Sequence, residues 1–317
     1  MRVLASRSAL FKLLILTVIL QLAASSANAQ EAQTKKASGQ KSREEEVRLG
    51  SQTAKGGFQN EDEIRDKFND WQKDSDARKW LEAMNYRLNE IEQVKAAKPH
   101  GEKADVEVRV KTKSGEKVHG ISIKLVSNPQ GFNQIDKRWL KTYADMWKMP
   151  DDVHSALKLF VGETAPINPG RDTRRMFLNE LPESQQQAVV RFFSSHRGQI
   201  VSDLFAGDGE HAAGWIMVTL KTTDNAAEGK KSLAADKKRL STPSMNSTQA
   251  AEKPQWMLCT TVDAVAFFGD GEVEITPAGS LKIGRITMQR KGGDNGRESA
   301  NMLQFKINPT ELFELRK

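Results

Sequence analysis

The chain has 317 residues, of which 38% are hydrophobic and 28% are charged, with a formal net charge of +7. This hydrophobic fraction supports a packed core, which excludes a disordered chain and allows one large domain or two ordinary ones. The single cysteine, Cys259, excludes an intramolecular disulfide and a cysteine-based zinc site. The positive charge is compatible with an anionic partner, but it is too modest to establish one.

The first residues have the order of features found in a targeting segment. They contain the basic residues Arg2, Arg7 and Lys12, then the apolar run 13–22, then the small-residue group Ala27-Asn28-Ala29. This order is typical of a secretory signal peptide over residues 1–29, and the apolar run is too short for a comfortable membrane span. We therefore expect an exported protein, periplasmic or secreted, whose formal charge falls from +7 to +4 when those three basic residues are removed. A misassigned start codon and a cytoplasmic protein are the alternative.

One polar, lysine-rich stretch precedes the apolar part of the chain, and a second interrupts it. Residues 30–48 contain almost nothing to bury and indicate a flexible linker. Residues 222–254 have a similar composition and indicate a low-complexity surface insertion. The sequence therefore predicts a signal peptide, a linker and one folded domain over residues 49–317.

Hydrophobic spacing predicts a mixture of helices and strands. Helical spacing occurs at 64–71, 80–88, 135–147, 153–160 and 185–193, and a β-hairpin over 104–127 precedes strand-like runs at 214–220, 273–276, 281–289 and 300–307. These elements lack a regular strand-helix-strand repeat, so they favour an α+β fold over a doubly wound sheet.

The predicted hairpin, ADVEVRVKTKSGEKVHGISIKLVS, alternates apolar and polar residues on both sides of a Ser-Gly pair. A two-residue turn at Ser114-Gly115 would place Asp105 opposite Lys124 and Glu107 opposite Ser122. One face then carries six apolar residues, as expected for a strand pair packed on a core: Val106, Val108, Val110, Ile121, Ile123 and Leu125. The other face gathers two carboxylates, a serine and a lysine.

These four polar side chains are suited to phosphodiester hydrolysis. Two carboxylates can hold a hard cation such as Mg²⁺, which acidifies a bound water. A lysine beside them can orient that water or neutralise charge that develops on a phosphate. Charged side chains facing water are also ordinary on a half-exposed hairpin. The residues alone leave both interpretations open, and the pattern by itself favours the solvated face.

Five stretches of the sequence, taken in order, resemble the HinP-type type II restriction endonucleases, which cut double-stranded DNA at GCGC. They are LGSQTAKGGFQNE (49–61), KLVSNPQGFNQIDKRWLKTYADMW (124–147), RRMFLNE (174–180), AAGWIMV (212–218) and GRITMQRKGGDNGRESANMLQFKINPTELFEL (284–315). The resemblance extends from about residue 48 to the C-terminus and is interrupted by the insertion. It implies a PD-(D/E)xK nuclease core, with a mixed central sheet flanked by helices, that uses Mg²⁺ to break both strands of a palindrome.

The resemblance also implies the catalytic residues. The family's catalytic aspartate matches Asp105, and its catalytic lysine matches Lys124. The family's third catalytic position, two residues before the lysine, carries a glutamine, whereas this sequence has Ser122, a shorter and weaker metal ligand. The predicted register offers a compensation, since Glu107 directly across from Ser122 would serve the same cation, and Glu107→Gln would then abolish cleavage. Glu61, on the first helix, is a further candidate metal ligand.

Two segments within the resemblance carry side chains suited to reading DNA. In the major groove, lysine and arginine match guanine, and acidic groups match the amino group of cytosine. The candidates are Phe132, Gln134, Lys137 and Arg138 in the first segment, and Gln289, Arg290, Lys291, Asp294 and Arg297 around a glycine-rich turn in the second. Phe132 at a loop tip could wedge between base steps, although a core-facing phenylalanine and a plain polar turn are the commoner arrangements.

Two functions follow from the resemblance. The first is a Mg²⁺-dependent type II site-specific endonuclease, and the second is a DNA-binding protein that reads GCGC and has lost cleavage because serine replaced glutamine. Both bind double-stranded DNA, neither needs a small-molecule cofactor, and a palindromic site is compatible with a homodimer. A cognate methyltransferase is expected only for a cytoplasmic enzyme, since an exported nuclease does not endanger the chromosome.

Overall fold

The computed structural model describes residues 43–99, 102–207, 211–221, 255–291 and 298–315. The residues from Gly57 onward form one compact unit that contains both sheets, and the described part of the preceding unit, 43–56, is helical. The predicted signal peptide and the predicted insertion at 222–254 lie outside the described residues. None of the described helices is both long and apolar enough to cross a membrane.

Helices and strands are mixed along the described chain. The α-helices are α1 (Arg43–Asn69), α2 (Ser75–Ala83), α3 (Leu140–Met146), α4 (Asp151–Val161), α5 (Glu183–Ser195), α6 (Arg197–Ala206) and α7 (Thr261–Gly269). The strands are β1 (Ile91–Ala97), β2 (Val106–Thr112), β3 (Gly115–Val126), β4 (Asn133–Arg138), β5 (Trp215–Leu220), β6 (Gln255–Thr260), β7 (Val273–Ile275), β8 (Leu281–Ile283), β9 (Ile286–Arg290) and β10 (Leu303–Ile307). This is the α+β fold that the sequence predicts.

The first sheet has the order β1-β2-β3-β5-β6 and is mixed, because β3 and β5 are parallel and the other pairs are antiparallel. Strand alternation gives it two buried faces. One face packs against α1 and α2, where it forms a core with Ile64, Phe68 and Trp80. The opposite face packs against α6 and α7 within the larger core of the molecule. Helices therefore flank this sheet on both sides.

The second sheet is entirely antiparallel, with the order β4-β10-β9-β8-β7. The apolar residues of its inner face join the larger core, where Phe305 packs against Tyr143 and Trp147 of the segment around α3. Its outer face is polar, as the alternation Leu303-Gln304-Phe305-Lys306-Ile307 requires. The sheet therefore presents one side to the core and the other to solvent.

The structure corrects several local predictions. Residues 43–48, assigned to a linker, belong to α1. The helix predicted over 135–147 begins only at Leu140, because the polar residues before it pair with β10 as strand β4. The strand predicted over 281–289 is two strands joined at Gly284, whose φ of 56° and close approach to the oxygen of Asp270 require glycine. Strands β1 and β6 and helices α6 and α7 are not predicted from the sequence.

Candidate active site and DNA-binding surface

The hairpin faces are predicted correctly, but the register is shifted by two residues. Thr112 pairs with Gly115, so the turn is Lys113-Ser114, and Val106 lies opposite Ile121. Gly115 has φ of 139°, which glycine alone adopts easily, and this geometry makes it the first residue of β3 instead of part of the turn. A shift of two residues preserves each face, so Asp105, Glu107, Ser122 and Lys124 remain on one side.

Asp105, immediately before β2, is fixed by two donors from β3. Its Oδ2 accepts a hydrogen bond from the backbone N–H of Ile123 at 2.6 Å and one from Ser122 Oγ at 3.3 Å. A hydrogen bond to an ionised carboxylate is about twice as strong as a neutral one, so these contacts hold the carboxylate in one orientation. Its Oδ1 has no hydrogen-bond partner within the described residues, which leaves that oxygen available to a cation.

Ser122 and Lys124 complete this group. Lys124 Nζ donates to Ser122 Oγ at 3.1 Å and to the backbone oxygen of Ile123 at 3.2 Å, and it lies 3.8 Å from Asp105 Oδ2. Ser122 is 3% exposed and uses its hydroxyl in both directions, as acceptor from lysine and donor to aspartate. The structure therefore brings together the three residues that match the family's catalytic positions.

Glu107 does not lie where the predicted register placed it. Gly120, not Ser122, is its partner across the strands, and its Oε1 lies 2.7 Å from His211 Nδ1. Gly120 allows this contact, since a Cβ there would lie 2.2 Å from the backbone oxygen of Ala212, next to His211. The premise that Glu107 faces Ser122 is wrong because the turn occurs one residue earlier than predicted.

Glu61 is also engaged elsewhere. It forms an ion pair of 2.9 Å with Lys98, whose Nζ also lies 3.3 Å from Asp62 and 5.5 Å from the ring centre of Phe58. Its helix, α1, packs on the face of the sheet opposite to the one that bears Asp105. The structure therefore gives no contact between Glu61 and the Asp105 group.

Lys103 is a member of the site that the sequence did not reveal. Its buried Nζ donates to the backbone oxygen of Ile135 on β4 at 2.8 Å and to that of Leu204 on α6. Burial, with a smaller contribution from the charge of Lys124, lowers the pKa of Lys103 to about 8. Lys103 lines a small cavity of about 10 Å³ with Ser122 and Lys124, so it fastens the second sheet beside the Asp105 group. Its only sequence signal is its place two residues before Asp105.

The candidate DNA-contacting residues divide between the two faces of the second sheet. Gln134 and Lys137 on β4 and Gln289 on β9 lie on the outer face of the sheet. Gln134 and Lys137 share this face although they are three residues apart, because a register irregularity between β4 and β10 interrupts the alternation there. Arg138 lies on the inner side, where its Nε donates to Asp136 at 3.0 Å and its Nη1 contacts the sulfur of Met146. Two of the guanidinium nitrogens of Arg138, Nε and Nη1, are therefore bound within the protein.

Arg290, which the sequence predicts to contact DNA, is held by contacts within the protein. It is 11% exposed, lies 3.4 Å from Asp172 and stacks with its guanidinium carbon 3.9 Å from the ring centre of Phe177. Burial lowers its pKa, which the neighbouring charge of Arg175 reinforces. Arg290 shares the inward alternation with Met288, so it packs the segment around residue 172 onto the sheet. A contact between Arg290 and DNA stays a prediction.

The remaining candidates lie in loops. Phe132 is 60% exposed in the loop between β3 and β4, so it is not the core residue that composition favoured. Lys291 follows β9, and its backbone binds Met302 and Arg175. Asp294 and Arg297 lie outside the described residues.

The oxygen donors around Asp105 are of the kind that Mg²⁺ prefers. The described residues contain no cluster of three or more His, Cys, Asp or Glu side chains that could hold a metal. This donor set still fits Mg²⁺, because that ion is commonly bound through one or two carboxylates and keeps water and phosphate oxygens in its other positions. Asp105 Oδ1, which has no hydrogen-bond partner among the described residues, is the oxygen of this group that is available to such an ion.

Known proteins resemble this chain in both sequence and fold. A family model described as R.HinP1I restriction endonuclease matches residues 84–239 and 236–313, more than half of the chain. The fold is similar to the crystal structure of restriction endonuclease MspI in complex with its cognate DNA, with a TM-score of 0.54 and 13% identity over 82% of this chain and 92% of that chain. At this identity the structural likeness concerns the fold alone. A search of curated proteins found no match.

Proposed function

This chain belongs to the R.HinP1I restriction endonuclease family of type II site-specific deoxyribonucleases, and we propose that it cuts double-stranded DNA at GCGC with Mg²⁺ held at Asp105. The observation that carries this proposal is the bonded group of Asp105, Ser122 and Lys124. These residues come from two strands and 20 positions of sequence, and they meet within 3.8 Å.

Lys124 carries the main chemical role among the side chains. An ammonium group has three N–H donors, and two of them are used by Ser122 and Ile123. The third donor is free to hold an attacking water or a phosphate oxygen, where its charge stabilises the negative charge that develops in the transition state. Hydrolysis forms a bond between the water oxygen and phosphorus and breaks one backbone P–O bond.

Asp105 and Ser122 position the reacting groups. The backbone N–H of Ile123 and the hydroxyl of Ser122 hold one oxygen of Asp105, so the other oxygen points away from them towards the place of a cation. Mg²⁺, when bound there, would supply an acidified water and charge neutralisation at the phosphate. Ser122 does not reach as far as the family's glutamine, but its hydroxyl links the aspartate to the lysine, which supports an active enzyme over an inactive DNA reader.

The proposed GCGC specificity rests on the family and on outward side chains of the second sheet. Lys137 can donate to guanine, and the amides of Gln134 and Gln289 can both donate and accept, as the edges of G·C pairs require. The exposed ring of Phe132 lies in the loop that follows the Lys124 strand, where it can wedge between base steps near the cleaved phosphate.

Cleavage of plasmid DNA tests this proposal. Purified protein would be incubated with plasmid and Mg²⁺, beside Asp105→Asn as a control and EDTA as a second control, and the ends would be mapped by sequencing. We expect ends only at GCGC, which disappear in both controls. Ends elsewhere would contradict the specificity, and ends that persist in Asp105→Asn would contradict the site.

The same experiment separates the alternative function. Intact plasmid together with retained GCGC-selective binding would identify a DNA-binding protein without cleavage. In that case Ser122→Gln, which restores the family residue, should recover cleavage. Recovery would assign the loss to Ser122.

We also propose that the protein is exported, on the basis of the basic, apolar and small-residue order over residues 1–29. The N-terminal residue of the protein recovered from separated cell fractions tests this. An N-terminus at Gln30 in the periplasm or medium is expected, and an intact chain in the cytosol would contradict export. Without export, a cognate methyltransferase becomes necessary. The palindromic site remains compatible with a homodimer.

A further inference from the structure

The outer face of the second sheet carries two rows of polar side chains. The pairing of β4, β10 and β9 sets both rows. The first row is Lys137, Gln304 and Gln289, and the second row is Gln134, Lys306 and Thr287. Gln134, Lys137 and Gln289 are predicted from the sequence to contact DNA, whereas Gln304, Lys306 and Thr287 have no assigned role.

None of these six side chains forms a hydrogen bond or an ion pair with a residue that the structure describes. The next strands of the same face differ, because Lys282 on β8 lies 3.5 Å from Glu274 on β7. The unpaired region is therefore limited to β4, β10 and β9, the half of the sheet joined to the Asp105 group through Lys103 and Ile135.

Gln304 occupies the centre of the first row and is the unusual member. It is only 8% exposed, because Lys137 and Gln289 flank it on both sides, yet its amide has no partner within the described chain. The amide atoms of Gln304 are not among the fully buried side-chain atoms that lack a partner in the described chain, so the amide reaches the surface between its neighbours. A ligand on this face can therefore supply its hydrogen-bond partners.

We propose that Gln304 reads a base pair of the target DNA, at the centre of a surface formed by both rows. This inference rests on the proposed function, because it takes double-stranded DNA as the ligand. Two lysines and no acidic side chain among the six residues match the charge of DNA. Lys306 binds phosphate in this arrangement, and Gln304 binds the base edge.

The chemistry of a glutamine amide suits a G·C pair. In the major groove guanine presents the acceptors N7 and O6, and cytosine presents one amino donor. The NH₂ of Gln304 can donate to guanine while its oxygen accepts from cytosine. Neighbouring strands are about 4.8 Å apart, so a row over three strands spans about 10 Å, which is comparable to the groove width of about 12 Å.

Selection of bound sequences from a library of random duplexes tests this inference without cleavage. The parent is the full chain with Asp105→Asn, which leaves the DNA intact. It would be compared with the same chain carrying Gln304→Leu, which keeps the size and burial of the side chain, and with one carrying Lys282→Ala, a matched control on the same face. Gln304→Glu, which keeps the acceptor and removes the donors, is the second variant if the leucine variant unfolds.

We expect Gln304→Leu to lose about tenfold to a hundredfold of the preference at one base pair of the selected site, and to retain it at the other positions. Gln304→Glu should move the preference at that pair towards a cytosine amino group, and Lys282→Ala should change nothing. Lys306→Ala should weaken binding to all sequences alike and reduce the salt slope by about 1.

An unchanged motif in both Gln304 variants would overturn the inference, and so would a parent that selects no motif. Selection of a motif other than GCGC would contradict the proposed specificity alone, because the role of Gln304 is then judged on the motif that the parent selects.

Discussion

The two sheets differ in whether their polar side chains have partners within the protein. On the first sheet, Asp105, Ser122 and Lys124 bind one another before any substrate is present. On the outer face of the second sheet, the two rows around Gln304 have no partner among the described residues. Fixed partners suit catalysis, because charges must be in place before the transition state forms. Missing partners suit recognition, because the ligand then supplies them.

Strand β9 shows the same division within two adjacent residues. Gln289 points outward and forms no side-chain hydrogen bond or ion pair in the described chain, whereas Arg290 points inward and contacts Asp172 and Phe177. Alternation along the strand decides which of the two side chains points away from the core. Side-chain chemistry alone favours the arginine, so orientation outweighs chemistry here.

Two lysine variants should give the largest difference between the catalytic group of the first sheet and the outer face of the second sheet. Lys124→Ala removes the cation of the bonded group, and we expect cleavage to fall by about a hundredfold to a thousandfold with little change in DNA affinity. Lys137→Ala removes an outer-face cation, and we expect weaker binding with a smaller salt slope. Single-turnover rates and binding titrations on the same duplex measure both effects. Equal effects of the two variants on binding and cleavage would refute the division between the sheets.

A stability measurement should separate the two neighbours on β9. Arg290→Met leaves Asp172 with one fewer buried cation and removes the stacking on Phe177, so we expect the free energy of unfolding to fall by about 2–3 kcal/mol. Gln289→Ala should change it by less than about 0.5 kcal/mol. Urea unfolding of both variants compares them directly. A stable Arg290→Met protein with weakened DNA binding would contradict this structural role and support a contact between Arg290 and DNA.

A Glu107 variant tests whether this carboxylate acts together with Asp105, Ser122 and Lys124. Because its partners are Gly120 across the strands and His211 at 2.7 Å, we expect Glu107→Gln to keep cleavage within about tenfold. Glu116→Gln, at an exposed position of the same hairpin, is the control. A loss as large as that of Lys124→Ala would instead support Glu107 as a ligand of the cation.

His119, which lies within β3 five residues before Lys124, provides the smallest expected effect. Burial lowers the pKa of His119, and its Nδ1 accepts the indole N–H of Trp215 at 3.3 Å, which requires a neutral ring. The folded state thus binds fewer protons than the unfolded state, so stability should fall as the pH drops below about 6.5. Urea unfolding at pH 7.5 and 5.5 should show a smaller decrease in His119→Gln, and an equal decrease would contradict this cause.

Sequence alone predicts much of the bonded group because its signals are local. Alternation over 106–125 fixes the faces of the hairpin, and the family motif identifies Asp105 and Lys124. The register is less accessible, since it depends on whether Gly115 belongs to the turn or to the strand. A shift of one residue in the turn was enough to move Glu107 away from Ser122.

Contacts between distant segments account for what the sequence missed. Glu107 and His211 are 104 residues apart, and Lys103 binds Leu204 across 101 residues. Strand β4 was predicted as a helix because its partner, β10, lies far along the chain. Gln304 was accessible in principle, since the pattern L-Q-F-K-I places it on the polar side of a strand. Its lack of partners is visible only in the folded sheet.

A crystal structure of the Asp105→Asn protein bound to a GCGC duplex would test whether cleavage occurs at Lys124 and recognition at the outer face of the second sheet. We expect the cleaved phosphate to lie beside Lys124 Nζ and a G·C edge to lie against the amide of Gln304. Bound DNA that contacts Lys124 but leaves the outer face of β4, β10 and β9 in solvent would contradict the assignment of recognition to that face.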